Sequence, residues 1–262
     1  MEVVRLNQNL FNTLPKLQEN EISSNKNGSR PYYYSFKRND NRVCIPFRTH
    51  AQKIPNKYKI GLGGEQPQKP NSAIDLTKAI VISNNEYLNN RSKANIPQNV
   101  NNFLKKQAQV IEQKFDIMTK DYINAKASLS RIPLVNYSTM QYFHEELNIQ
   151  GSINNQQTKN AITELMSNGK SDKYNKLQSS LPNEKLDLLT DYEILCEFKN
   201  LTDYPAKINS NDINNPYLEV EKNNKSFTLS ALTIKNEAEK SIKDFLDYDV
   251  TNEKIKNIDL DL

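Results

Sequence analysis

The chain has 262 residues, 36% apolar and 25% charged, and a net charge of +4, so it is long enough for one large domain or two small ones. Cys44 and Cys196 are the only cysteines; their separation argues against a zinc site, provides no disulfide framework and fits a reducing, cytoplasmic setting. No segment approaches the ~18 apolar residues of a membrane helix, and the first ten residues lack the unbroken apolar core of a signal peptide.

In residues 1–18, Leu6, Leu10, Phe11, Leu14 and Leu17 suit either a helix or a strand followed by a turn. Residues 20–30, rich in Ser, Asn and Gly, form a loop. Next comes Pro31-Tyr32-Tyr33-Tyr34-Ser35-Phe36-Lys37-Arg38, a β-prone run. Asn39-Asp40-Asn41 is turn chemistry, because Asn and Asp tolerate left-handed backbone. Arg42-Val43-Cys44-Ile45-Pro46-Phe47 is the return strand, and the pair reads as a hairpin. Pro46 cannot donate to a ladder and belongs at a strand end or edge.

Residues 52–72 form a long Gly- and Pro-punctuated loop, with a short strand expected around Tyr58-Lys59-Ile60. Ala79-Ile80-Val81-Ile82 is a buried strand. Val100, Leu104, Ala108, Ile111, Phe115, Met118 and Tyr122 step by fours and threes, so one continuous helix is expected over 100–126. A second, short helix is expected over 138–147, with Ser138 as its N-cap and His144 in a structural role.

Residues 151–180 read as a linker or weak helices and mark the domain boundary. Beyond them, 185–198 looks helical, with Leu186, Leu189, Ile194 and Leu195 as its apolar positions. Residues 217–220 and 226–229 make a second hairpin about Asn223-Asn224, and 234–246 looks helical again. The charge divides along the same line. Residues 1–150 hold 21 Lys and Arg against 12 Asp and Glu, whereas 151–262 hold 14 against 19. A basic front suits a polyanion; an acidic rear suits another task. Asparagine runs such as Asn84-Asn85 reflect an AT-rich genome before they reflect function.

The chemistry concentrates where the second strand ends. Arg48, Thr49, His50 and Lys53 bring a guanidinium, a hydroxyl, an imidazole and an ammonium to one place. RNA can be cut with such a set: the 2′-OH attacks the adjacent phosphate in line, and the protein orients the strand, moves two protons and neutralises the phosphorane. Lys57 and Lys59 in the following loop can grip phosphates. Of Tyr32, Tyr33 and Tyr34, one face of the strand goes to the core and the other can stack bases. Each residue also has an ordinary reading, as a strand-end charge, a β-branched strand residue or a solvated loop.

The order of these pieces resembles a known family. Ile45-Pro46-Phe47-Arg48-Thr49-His50, a lysine loop, Asp75-Leu76-Thr77-Lys78-Ala79-Ile80-Val81-Ile82, Glu86-Tyr87-Leu88 and a long helix are similar to the toxins of type III toxin–antitoxin systems. These form the ToxN/AbiQ superfamily, and the likeness is greatest to its TenpN and CptN branches. Met140-Gln141-Tyr142-Phe143-His144-Glu145-Glu146-Leu147 is similar to that branch's closing helix. The resemblance covers about residues 1–150.

It implies an α+β fold: a compact antiparallel β-barrel of Kid/MazF type with added helices, here with a C-terminal α+β extension. The expected organisation is an endoribonuclease domain over 1–150, a linker or weak helices over 151–180 and an acidic extension over 181–262. The implied activity is metal-independent endoribonuclease cleavage leaving 2′,3′-cyclic phosphate and 5′-OH ends, with no cofactor. The implied partners are substrate RNA and a repetitive, pseudoknotted antitoxin RNA that closes an assembly with the toxin, in abortive defence against phage, away from membranes. The implied catalytic residues are Thr49, His50, Lys53 and Arg48, with Asp75 structural beside them. Tyr32, Tyr34, Lys57, Lys59 and Lys78 are expected to contact RNA. The alternatives are a non-catalytic RNA-binding or assembly protein on the same fold, and a phage or plasmid structural protein.

Overall fold

The computed structural model describes residues 2–13, 33–83, 87–88 and 96–236. Contacts divide the chain into two compact units, Met1–Gln156 and Gln157–Leu262.

Unit 1 is built on a six-stranded antiparallel sheet. Its strands are β1 (Glu2–Val4), β2 (Tyr33–Arg38), β3 (Asn41–Arg48), β4 (Lys59–Gly61), β5 (Ala73–Asp75) and β6 (Ile80–Ile82). Their order is β1-β2-β3-β5-β4, with β6 also on β3. Among the described residues no ladder joins β1 to β4, so these strands form an open sheet where a closed barrel was expected.

The first hairpin pairs Tyr33 with Pro46 through to Arg38 with Asn41. Asn39 takes the left-handed φ of 53° that its turn requires. Tyr33, Tyr34, Ser35 and Phe36 are all buried, so both faces of β2 are covered. Beyond β2, β3 meets β6 through residues 42–44 and β5 through 47–48. Pro46 falls in the gap between those two ladders, inside the strand and not at its end.

The helices of unit 1 are α1 (Gln8–Thr13), α2 (Gln98–Lys106), α3 (Ala108–Ala127) and α4 (Pro133–Tyr137). The apolar stripe expected over 100–126 is buried at Val100, Leu104, Ile111, Phe115, Met118 and Tyr122. The continuous helix, however, is broken at Gln107, with φ −89° and ψ 3°. Neither Pro nor Gly stands at the break. Phe115 meets Phe36 edge to face at 5.6 Å, which seats α3 on the first hairpin.

The helix expected over 138–147 is instead a 3₁₀ turn, Thr139–Tyr142, followed by further turns. Ser138 caps nothing with its side chain. The Thr139 hydroxyl is buried and donates to the carbonyls of Thr77 and Ala79, anchoring the segment to the sheet in place of a helical ladder. His144 is held between the Tyr122 hydroxyl and the Gln150 side chain, each at 2.9 Å.

Where a linker or weak helices were expected, the chain forms α5 (Gln150–Asn168) and α6 (Asp172–Ser179). Ile153 of α5 belongs to the core of unit 1; Ala161, Ile162 and Leu165 belong to the core of unit 2. Unit 2 adds α7 (Asn183–Leu201), a three-stranded antiparallel sheet of β7 (Ala206–Asn209), β8 (Tyr217–Lys222) and β9 (Lys225–Ser230), and α8 (Ala231–Asn236). Leu189, Tyr192, Leu195 and Phe198 of α7 are buried in a core with Leu218, Val220 and Leu229. Asn223 and Asn224, with φ of 52° and 60°, make the two-residue turn between β8 and β9. The readings over 14–32 and beyond Asn236 lie outside the described residues.

Candidate active site

The strand-end residues stand where the β3–β5 ladder stops. Arg48, the last residue of β3, pairs with Ala73 of β5. Three residues on, the Ala51 N–H donates to the Asn71 carbonyl at 3.0 Å. Thr49 and His50 therefore lie between the last pair of the ladder and this single hydrogen bond. These two residues are past the ladder and free of the strict alternation of side chains that it imposes. Both Thr49 and His50 are exposed, where a regular strand would turn one of them inward.

Arg48 shares a face with Ala73 and hence with Asp75, two residues along β5. Its guanidinium meets the Asp75 carboxylate at 2.6 Å. Asp75 is fully buried, while the Arg48 side chain is 48% exposed. The second carboxylate oxygen accepts from the Thr77 hydroxyl at 2.6 Å and the Thr77 N–H at 3.1 Å. Asp75 thus caps the 3₁₀ turn Leu76–Lys78 and orients Arg48 with one carboxylate. The guanidinium is pinned on one edge and open to solvent on another.

The loop that follows is held by its own lysines. The Lys59 ammonium donates to the Ala51 carbonyl at 2.7 Å, and that carbonyl also accepts from the Ile54 N–H. Lys53 lies inside this turn and is exposed. Lys57 and the Tyr58 hydroxyl both reach the Asp121 carboxylate of α3 at 2.8 Å. Hydrogen bonding to Asp121 raises the Lys57 pKa, and the same bond lowers that of Asp121. Lys114 of α3 donates to the carbonyls of Asn56 and Lys59; burial, and then the Lys59 charge, lower its pKa. Gly63 completes the loop, since a Cβ there would sit 2.1 Å from the Pro70 carbonyl oxygen.

The expected site residues therefore separate into three groups. Arg48, Thr49, His50 and Lys53 follow closely along the chain and are exposed. Among the described residues the side chains of Thr49, His50 and Lys53 have no hydrogen-bond or ion-pair partner, and Asp75 lies buried beneath as an organiser. Lys57, Lys59 and Lys78 fasten loops to protein acceptors, Lys78 through the Tyr137 carbonyl at 2.7 Å.

Tyr34 corrects the expectation of base stacking. It is wholly enclosed, burial and then the Glu112 charge push its pKa up to about 12, and it has no surface to offer RNA. Tyr32 lies outside the described residues. The clips from Lys114, Tyr58 and Asp121 are not visible in any local pattern, because they join positions more than 50 residues apart.

Among the described residues no three His, Cys, Asp or Glu side chains group to hold a metal ion, and no helix is long and apolar enough to cross a membrane. No family model, no curated protein and no solved structure matches this chain.

Proposed function

We propose that unit 1 is an endoribonuclease. The single observation behind this reading is the strand end: Thr49 and His50 are exposed together where the β3–β5 ladder stops, beside an arginine whose position a buried carboxylate controls. In the reaction the 2′-oxygen loses its proton and bonds to the adjacent phosphorus, the bond from phosphorus to the 5′-oxygen breaks, and that oxygen takes a proton. The products are a 2′,3′-cyclic phosphate and a 5′-OH. Arg48 balances charge on the phosphorane oxygens. Thr49, His50 and Lys53 share the two proton transfers and the alignment of the 2′-OH.

The resemblance extends the proposal to a type III toxin that acts in the cytoplasm in phage defence. A repetitive structured RNA inhibits it by closing a protein–RNA assembly, and its sheet is related to the Kid/MazF-type barrel. No metal ion or cofactor enters the proposed step.

The test is purified protein with RNA in EDTA, with product ends mapped. Cyclic-phosphate ends are expected, with cleavage reduced at least ~100-fold by Thr49→Ala or Lys53→Ala while circular dichroism is unchanged. Full cleavage by both variants removes these residues from the mechanism. Intact RNA with a gel shift makes the protein a binder on the same fold.

A further inference from the structure

Tyr137 is the one aromatic residue among the strongly exposed large apolar side chains of the described residues, at 61%. Its backbone is nonetheless firmly set. It ends α4, whose Leu134 and Val135 are buried. Its carbonyl accepts from the Lys78 ammonium at 2.7 Å. Ser138 and Thr139, which follow, are 1% and 0% exposed. The ring is thus held out to solvent on a fixed backbone and is accessible to a ligand.

The backbone that carries the ring is bonded to the framework that holds Arg48. Arg48 bonds Asp75, Asp75 bonds Thr77, the Thr77 carbonyl accepts from the Thr139 hydroxyl at 3.3 Å, and Tyr137 lies two residues before Thr139. Lys78, the next residue after Thr77, closes a second link to Tyr137 itself. The phosphate-binding guanidinium and the exposed ring are thus carried on one bonded framework, at opposite ends of the 3₁₀ turn Leu76–Lys78.

We propose that Tyr137 is the base platform of this site: an unpaired nucleobase of an RNA strand stacks on its ring while a neighbouring phosphate lies at Arg48. The proposal rests on the RNA-cleaving reading and adds its substrate class, single-stranded RNA held by a stacked base. In-line attack needs the 2′-oxygen, phosphorus and leaving oxygen aligned, which a duplex resists and a splayed, stacked nucleotide permits. Stacking is indifferent to base identity, so Tyr137 contributes affinity and alignment more than sequence choice.

The probe is a single-stranded 2′-O-methyl RNA oligonucleotide, which lacks the nucleophile and cannot be cut, with 2-aminopurine placed at successive positions. Wild-type protein should bind it with a fluorescence change at one position. Tyr137→Phe should retain both binding and the change. Tyr137→Ala and Tyr137→Leu should each weaken binding about tenfold and lose the fluorescence change, with thermal stability unaltered because the ring is exposed. Equal binding by all four proteins overturns the proposal, as does failure of the wild type to bind.

Cleavage of the same sequence with free 2′-OH groups separates the two readings. A Tyr137-dependent fluorescence change on a strand that is never cut keeps the platform and removes the nuclease. A cut strand indifferent to Tyr137 does the reverse.

Discussion

Replacing Asp75 by Asn tests the frame on which the candidate site depends. Three donors converge on this carboxylate: Arg48 Nη1 at 2.6 Å, Thr77 Oγ1 at 2.6 Å and the Thr77 N–H at 3.1 Å. Asparagine preserves the shape and can accept from Thr77, but it then turns its NH₂ toward the guanidinium and loses the charge-assisted bond. Such bonds contribute roughly 1.5–3 kcal/mol. Arg48 is half in water and recovers part of that by hydration, so about 2 kcal/mol is expected. For a protein of this size that lowers Tm by about 4–8 °C.

Arg48→Met should be worse. It leaves an ionised carboxylate sealed in the protein with Thr77 as its remaining donor. The Asp75→Asn/Arg48→Met double variant should therefore be more stable than Arg48→Met alone. Urea denaturation followed by circular dichroism measures all three. If the double variant is the least stable, with destabilisations that simply add, the ion pair does not organise the strand end and the reasoning fails.

Two other outcomes are expected. Leu129 has φ 55° just past the end of α3, where the Ser130 N–H reaches back to the Ala125 carbonyl, as in a Schellman cap. The residue is 43% exposed, so Leu129→Gly should raise the unfolding free energy by about 0.5–1 kcal/mol, the relief of left-handed strain less the added freedom of the unfolded chain, read as a higher urea midpoint; a lower midpoint would refute this.

The Lys57–Asp121 pair should stabilise between the two groups' unfolded pKa values, about 3.9 and 10.4. The folded pKa of Asp121 is lowered, so its contribution is present above the lower value and lost as pH falls. The folded pKa of Lys57 is raised, so its contribution is present below the upper value and lost as pH rises through the folded one. Asp121→Asn should flatten the stability profile on the acid side, and an unchanged profile would count against the bond.

Local chemistry alone determined much of this chain. The Asn39 and Asn223-Asn224 turns follow from the tolerance of asparagine for positive φ, and both hairpins form around them. The buried stripe of Val100, Leu104, Ile111, Phe115, Met118 and Tyr122 was legible because a period of 3.6 puts those residues on one face, although nothing local marked the break at Gln107. The cluster of Arg48, Thr49, His50 and Lys53 was legible because its members are neighbours in the chain.

Tertiary structure decided what each group does. A tyrosine on a strand faces outward only if nothing covers that face, and here α3 packs on the hairpin and Tyr34 is sealed. The lysines expected to contact RNA also bond Asp121 and backbone carbonyls, acceptors that only the folded chain brings within reach. The point at which the β3–β5 ladder stops exists only in the pairing of two strands separated by a long loop, and no property of Thr49 or His50 by themselves could announce it.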